Sequence, residues 1–289
     1  MKIKYRYLTD IPIETVQRCM QDSFADYQLD MSYMTVEVMK HRNAICRNDP
    51  ECSVGAFEGD KMIGFLNVGI DQIDGELVAF DGGTGVVKEY RGQGVAGKMF
   101  AKSVDSLKEK NIQKYILEVL QENTKAIRAY EKEGFKVLRN LKCYDIAIKN
   151  YTGITTKIPN VQIKAISVNE LESNWHFIKY PVSWEHMLSG LMEVEKEISI
   201  FGAFENENCI GFIVYTPFMC WLTAIGINPM YLEKNKLIDL LIGHLFENIN
   251  PVKPKVSVNN LTEKDPLNDI LKSLGFDNVV DQYEMIAEI

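Results

Sequence analysis

Leu77–Val87, followed by Lys88-Glu89-Tyr90-Arg91-Gly92-Gln93-Gly94-Val95-Ala96-Gly97, is the stretch that decides how this chain folds. Its first part reads as a strand, and the run from Gly97 to Lys110 reads as a helix. A glycine-rich turn between a strand and a helix exposes backbone N–H groups. The helix N-terminus adds partial positive charge at the same place, and Arg91 can add a charge-assisted contact. Together these make a seat for a diphosphate.

Working outward, strand signals come consecutively at Ser53–Glu58, Met62–Ile70 and Leu77–Val87. Asp71-Gln72-Ile73-Asp74-Gly75 reads as the turn between the last two. Gly92, Gly94 and Gly97 also satisfy G-x-G-x-x-G, the dinucleotide fingerprint. In that fold the first glycine comes almost directly off the strand, and strands alternate with helices from the start. Here Lys88, Glu89, Tyr90 and Arg91 intervene, and a meander precedes the glycines.

The pattern resembles the GNAT superfamily of N-acetyltransferases, whose signature is Arg or Gln, two residues, Gly, one residue, then Gly or Ala. Arg91, Gly94 and Ala96 match it. Gly85-Val86-Val87-Lys88-Glu89-Tyr90 is similar to the segment before the signature. Leu117–Asn123 is similar to the next strand and its Asn, and Ala126–Phe135 to the helix ending in the family's Tyr and Gly-Phe. The resemblance covers about the first half of the chain. The fold class it implies is α/β (α+β), each domain a mixed, mostly antiparallel sheet flanked by helices.

The chain also repeats itself. Gly55-Ala56-Phe57-Glu58 recurs 147 positions later as Gly202-Ala203-Phe204-Glu205, and Ile63-Gly64-Phe65 recurs as Ile210-Gly211-Phe212. Gly85, Tyr90 and Gly134-Phe135 recur 141 positions later as Gly226, Tyr231 and Gly275-Phe276. Ordered matches at nearly constant offset indicate two copies of one fold. The polar stretch Lys149–Asn160 reads as the linker, giving domains 1–150 and 151–289. In the second copy the signature falls on Leu232-Glu233-Lys234-Asn235-Lys236-Leu237. Both glycines are gone, and Glu233 would oppose a phosphate. Leu237, Leu240, Leu241, Leu245 and Phe246 keep the helical stripe. The second domain is therefore expected to keep the fold and lack the cofactor seat.

Composition narrows the class. The 289 residues are 46% hydrophobic and 25% charged, ordinary for a globular chain, with a formal net charge of −8. That acidity argues against nucleic acid as a partner and suits a cationic amine. No apolar run approaches a membrane span. Six cysteines are scattered without C-x-x-C, and four histidines show no ligand spacing, so no metal is expected. Lys2, Lys4 and Arg6 alternate with Ile3 and Tyr5 as in a strand, not a signal peptide. The expected location is cytoplasmic.

The resemblance implies acetyl-CoA as cosubstrate and a small or peptidic primary amine as acceptor, joined by direct attack. Val86 and Val87 would offer backbone groups to the pantetheine arm and acetyl carbonyl, with the Val87 N–H a donor to the oxyanion. The backbone of Arg91, Gly92, Gln93, Gly94, Val95 and Ala96 would hold the diphosphate. Asn123 would contact the arm, and Tyr130 would be the acid that protonates the leaving thiolate. The residues leave the base open between Asp81, before the glycine-rich Gly82-Gly83-Thr84-Gly85, and Glu118. Alternation puts Glu118 on the face opposite Leu117 and Val119. Phe24, Tyr27, Met31, Tyr33 and Met34 are candidates for the acceptor wall, with Trp175, Tyr180, Trp184 and His186 from the second domain. The alternative reading is a non-catalytic acyl-CoA-binding regulator.

Overall fold

The strand signals around the glycine turn form a meander. Strands β1 (Lys4–Tyr7), β2 (Val54–Glu58), β3 (Lys61–Ile73) and β4 (Glu76–Val86) pair antiparallel in that order. Asp74 and Gly75, both at positive φ, turn the β3–β4 hairpin. The structure, a computed structural model, describes residues 2–26, 31–151, 157–250 and 252–289. Tyr27 and the middle of the expected linker, 152–156, lie outside the described residues.

Two compact units result. The first holds residues up to Leu138 together with Tyr283–Ile289. Helices α1 (Ile13–Phe24), α2 (Val36–Ile45), α3 (Val95–Glu109) and α4 (Thr124–Lys132) accompany the meander, and β5 (Lys114–Leu120) joins β4 in parallel. Beyond β5 comes the end of β12 (Asp277–Glu288), with the Ile289 N–H donating to the Gln113 carbonyl at 2.9 Å. Met285 and Ala287 of β12 sit in the same core as Val54, Ile63, Met99 and Leu117.

The second unit is Arg139–Gln282. It holds β6 (Lys136–Ala147), β7 (Val161–Ala165), β8 (Ser199–Glu205), β9 (Asn208–Thr216), β10 (Trp221–Ile227) and β11 (Lys255–Thr262), in the order β6-β11-β10-β9-β8-β7. Helices α5 (Val168–Asn174), α6 (Leu188–Glu193), α7 (Lys234–Asn248) and α8 (Leu267–Ser273) complete it. The units thus part at 138/139, where the sequence places the join at 150/151, and each takes its last strand from the other half of the sequence. Alternation shows that β6 and β12 are strands but not which edge each pairs with, and β6 pairs antiparallel with β11.

The repeat holds residue by residue. Gly64 faces Val86 as Gly211 faces Ile227, and Phe65 faces Gly85 as Phe212 faces Gly226. One extra residue bulges from each equivalent strand, Gly82 in β4 and Thr223 in β10. Both α4 and α8 end in the same paired bonds: Phe135 N–H to Tyr130 O at 3.1 Å, and Phe276 N–H to Leu271 O at 3.0 Å. No helix among the described residues is long and apolar enough to cross a membrane.

Candidate active site

The seat forms because the chain leaves β4 through a short 3-10 turn, Lys88–Tyr90, and enters α3 through two left-handed glycines. Gly92 has φ 74° and Gly94 has φ 73°. An L-residue is strained at such angles. A Cβ on either glycine would meet nothing within 4 Å, so the space over the turn is open. The first internal bond of α3 is Lys98 N–H to Gly94 O, at 3.2 Å. The N–H groups of Gly92, Gln93, Gly94, Val95 and Ala96 find no backbone acceptor among the described residues. They face the open space at a helix N-terminus, an arrangement suited to an anion.

Two expectations about this turn change. The Arg91 guanidinium is already engaged by the protein: Nε donates to the Val86 carbonyl at 2.9 Å, and one terminal nitrogen to the Ser23 carbonyl at 2.6 Å. A bidentate pair with Asp26 at 3.0 and 2.7 Å completes it and holds the Asp26 carboxyl below the usual carboxylate range. Arg91 ties the end of α1 to the turn, and its backbone N–H is taken as well, donating to the Lys88 carbonyl at 3.2 Å. Val87 is also committed. Its N–H donates to Ile63 O at 2.9 Å, and its carbonyl accepts from the Tyr90 N–H at 2.9 Å. Since Val87 faces β3, strand alternation turns the backbone groups of Val86 and Thr84 the other way. The Val87 N–H is therefore not free, and the Val86 N–H is the one turned away from β3.

What Val86 and Thr84 face is a gap. β4 and β5 pair from Val78↔Lys114 to Asp81↔Leu117 and no further, although both strands continue, to Val86 and Leu120. Asp81 sits at this fork. Its Oδ1 accepts from the Gly83 N–H at 2.9 Å, which fixes the bulge at Gly82. Its Oδ2 accepts from Thr84 Oγ1 at 2.7 Å and from the Tyr130 hydroxyl at 3.1 Å. Loss of solvent raises the Asp81 pKa, and these three donors oppose the rise. Tyr130 is held by its helix, and its ring meets Phe135 edge-on at 5.7 Å. Asn123 caps that helix, its Oδ1 accepting from the Ala126 N–H at 3.2 Å. Glu118 is the first residue of β5 past the fork and is half-buried.

The structure brings Asp81 and Tyr130 together. It adds Thr84, a partner the sequence reading passed over inside a glycine-rich run. Of the candidate acceptor wall, Phe24, Met31 and Tyr33 are half-buried, whereas Met34, 2% exposed, is core. In the second unit Trp184 is 1% exposed and Trp175 stacks on Phe212 at 5.9 Å, so both are packing residues there. In the second unit Leu222 occupies the strand position of Asp81, and Leu271 the helix position of Tyr130.

The first unit thus joins an open glycine turn at a helix N-terminus to a forked strand pair, and the second repeats its fold without the two glycines. Residues 10–135 match the model of the acetyltransferase (GNAT) family. A 96-residue stretch is 35% identical to N-alpha-acetyltransferase 30 of Schizosaccharomyces pombe (strain 972 / ATCC 24843), covering 33% of this chain and 64% of that protein. Along 99% of its length the chain is similar in structure to a tandem GNAT protein from the clavulanic acid biosynthesis pathway, with TM-score 0.75, 12% identity and 98% of that chain covered. A GCN5-related N-acetyltransferase from Sphaerobacter thermophilus gives 0.71 at 11% identity, with 99% and 95% covered. Residues 10–135 thus match the acetyltransferase (GNAT) family, and the whole chain shares the fold of tandem GNAT proteins.

Proposed function

We propose that the first unit transfers an acetyl group from acetyl-CoA to a primary amine. The observation that carries this is the continuity of three features: N–H groups from Gly92 to Ala96 without a backbone acceptor among the described residues, a β4–β5 gap edged by Thr84 and Val86, and the Asp81–Tyr130 pair at the fork. The seat fits a diphosphate, because both glycines leave the approach open. Bound there, acetyl-CoA would supply a thioester whose C–S bond breaks as the amine forms the new C–N bond. The Val86 N–H is the donor aimed at charge building on the acyl oxygen. An amine must lose a proton before it attacks, and Asp81 is the carboxylate beside the fork that takes it. Tyr130 gives its proton to the departing sulfur and is restored from Asp81. Glu118, one residue past the fork, is the alternative base.

The acceptor is a small or peptidic amine. Similarity to an N-alpha-acetyltransferase favours an α-amine at a peptide end. The protein's net charge of −8 suits a cationic acceptor. Six scattered cysteines without C-x-x-C spacing suit a reducing, cytoplasmic setting. The test is thiol release from acetyl-CoA with a panel of amines and free-amino peptides. Turnover that falls in Tyr130→Phe supports the reading. Binding of acetyl-CoA without turnover on any amine would replace it with the non-catalytic, acyl-CoA-binding one.

A further inference from the structure

The second unit has a cleft of its own. β10 and β11 pair in parallel only at Trp221↔Ser257 and then separate. The empty space there, open solvent at its mouth included, is about 480 Å³. Leu222 to Ile225 line one side and Val258 to Thr262 the other, and the Ile178–Val182 segment borders it. That segment is pinned in place, since Arg139 donates to the carbonyls of Pro181 and Val182 at 2.6 and 2.9 Å.

Two neutral side chains of this lining, His186 and Asn259, are unused. His186 is 8% exposed, and its ring makes no hydrogen bond among the described residues. Burial lowers its pKa to about 4, so the ring is uncharged at neutral pH. A polar side chain so deeply buried is ordinarily satisfied. The Asn259 amide, half-buried on β11, has no hydrogen-bond partner among the described residues either. The backbone adds a third group. Asn228 donates to Ile210 O at 2.9 Å, so alternation turns the Ile225 N–H and C=O toward the cleft, as it turns Thr84 in the first unit. An amide and an imidazole each offer a donor and an acceptor, and the Ile225 edge offers both as well. The rest of the lining is mainly apolar, including Ile178, Leu222 and Leu261. Asp265, its carboxyl pushed up by burial, is engaged by the Leu267 N–H at 2.9 Å. Apart from Asp265 the lining carries no charged side chain, so an anionic ligand would lose its water without compensation.

We propose that the cleft between β10 and β11 binds a small uncharged ligand carrying a secondary amide, held by the Asn259 side chain, the His186 ring and the Ile225 backbone edge. This differs from the first unit's site in ligand charge as well as place. It does not depend on that unit's chemistry.

The test uses the full-length protein with ¹⁵N-labelled histidine. The probe is N-acetylalanine N-methylamide, and N-acetylalanine is its carboxylate counterpart. The neutral probe is expected to shift the His186 ring resonances with a dissociation constant on the order of 1 mM, roughly tenfold tighter than the carboxylate form. Asn259→Asp should weaken the neutral probe roughly tenfold, with melting temperature and acetyl-CoA affinity unchanged. If that variant is destabilised, Asn259→Leu provides the same comparison. Three results would overturn the proposal: no ring shift at tenfold that concentration, equal affinity for the carboxylate form, or displacement of the probe by CoA.

Discussion

Gly85 in the first unit and Gly226 in the second lie against the same partner. A Cβ on either would come within 2.4 Å of a phenylalanine ring, Phe65 in one and Phe212 in the other. Gly55 and Gly202 repeat the pattern against Phe57 and Phe204, at 2.7 and 2.8 Å. The two units have kept their packing, down to close glycine–ring contacts. What differs lies on the face where chemistry would occur. Gly92 and Gly94 give way to Glu233 and Asn235, Asp81 to Leu222, and Tyr130 to Leu271. Close packing constrains a core whether or not a site survives, because a buried clash destabilises any copy. A phosphate seat and a proton pair have no packing role to preserve them once a copy stops using them.

The comparison can be broken at several strengths. The largest effect should come from replacing Arg91–Val95 with the second unit's Leu232–Lys236. Turnover should vanish, with acetyl-CoA affinity down at least about a hundredfold, because the left-handed glycines and the Arg91 clamp go together. Circular dichroism should show the fold retained. Tyr130→Phe should lower kcat by about a hundredfold with acetyl-CoA affinity unchanged, as loss of an acid does. Leu271→Ala in the second unit should leave kcat unchanged.

Asp81→Asn should cost about tenfold in kcat/KM and remove its acidic limb. Burial raises the Asp81 pKa. Between its ordinary value near ~3.9 and the raised one, the folded chain holds a proton that the unfolded chain has released. Stability from this group is thus present below pH ~3.9 and is lost as pH rises through the folded pKa. Activity runs the other way, since the ionised carboxylate is the working form. A pH series of melting temperatures and rates should show both trends in the parent and neither in the Asn variant. The smallest effect is on stability. Gly85→Ala and Gly226→Ala should each cost about 1–3 kcal/mol by crowding a ring, read as similar drops in melting temperature. A large inequality between them would mean that the shared packing is less alike than the contacts indicate.

Much of this was legible in the sequence. The meander, the glycine turn and the repeat all rest on local signals: alternation, a required left-handed φ, and residue spacing. Tyr130 is marked as a candidate by its place before Gly134-Phe135, and Asp81 by the glycines that follow it; the fold puts the two in hydrogen-bond contact. What sequence could not carry was pairing at a distance. Arg91 looks like a phosphate ligand until Asp26, 65 positions away, is seen to bind it. Val87 looks available until Ile63 is found opposite its N–H. The division of units at 138/139 escaped for the same reason: Gly134-Phe135 marks a helix end, and nothing local says that the strand after it pairs with β11.

The central claim is that one unit of two has a working cofactor seat. Calorimetric titration of acetyl-CoA into the parent protein and into Gly94→Trp tests it most directly. A Cβ at Gly94 meets no protein atom within 4 Å, so the indole would enter the space kept for the diphosphate. The account predicts one equivalent bound by the parent and none by the variant. Two equivalents, or a variant that still binds one with parental affinity, would contradict it.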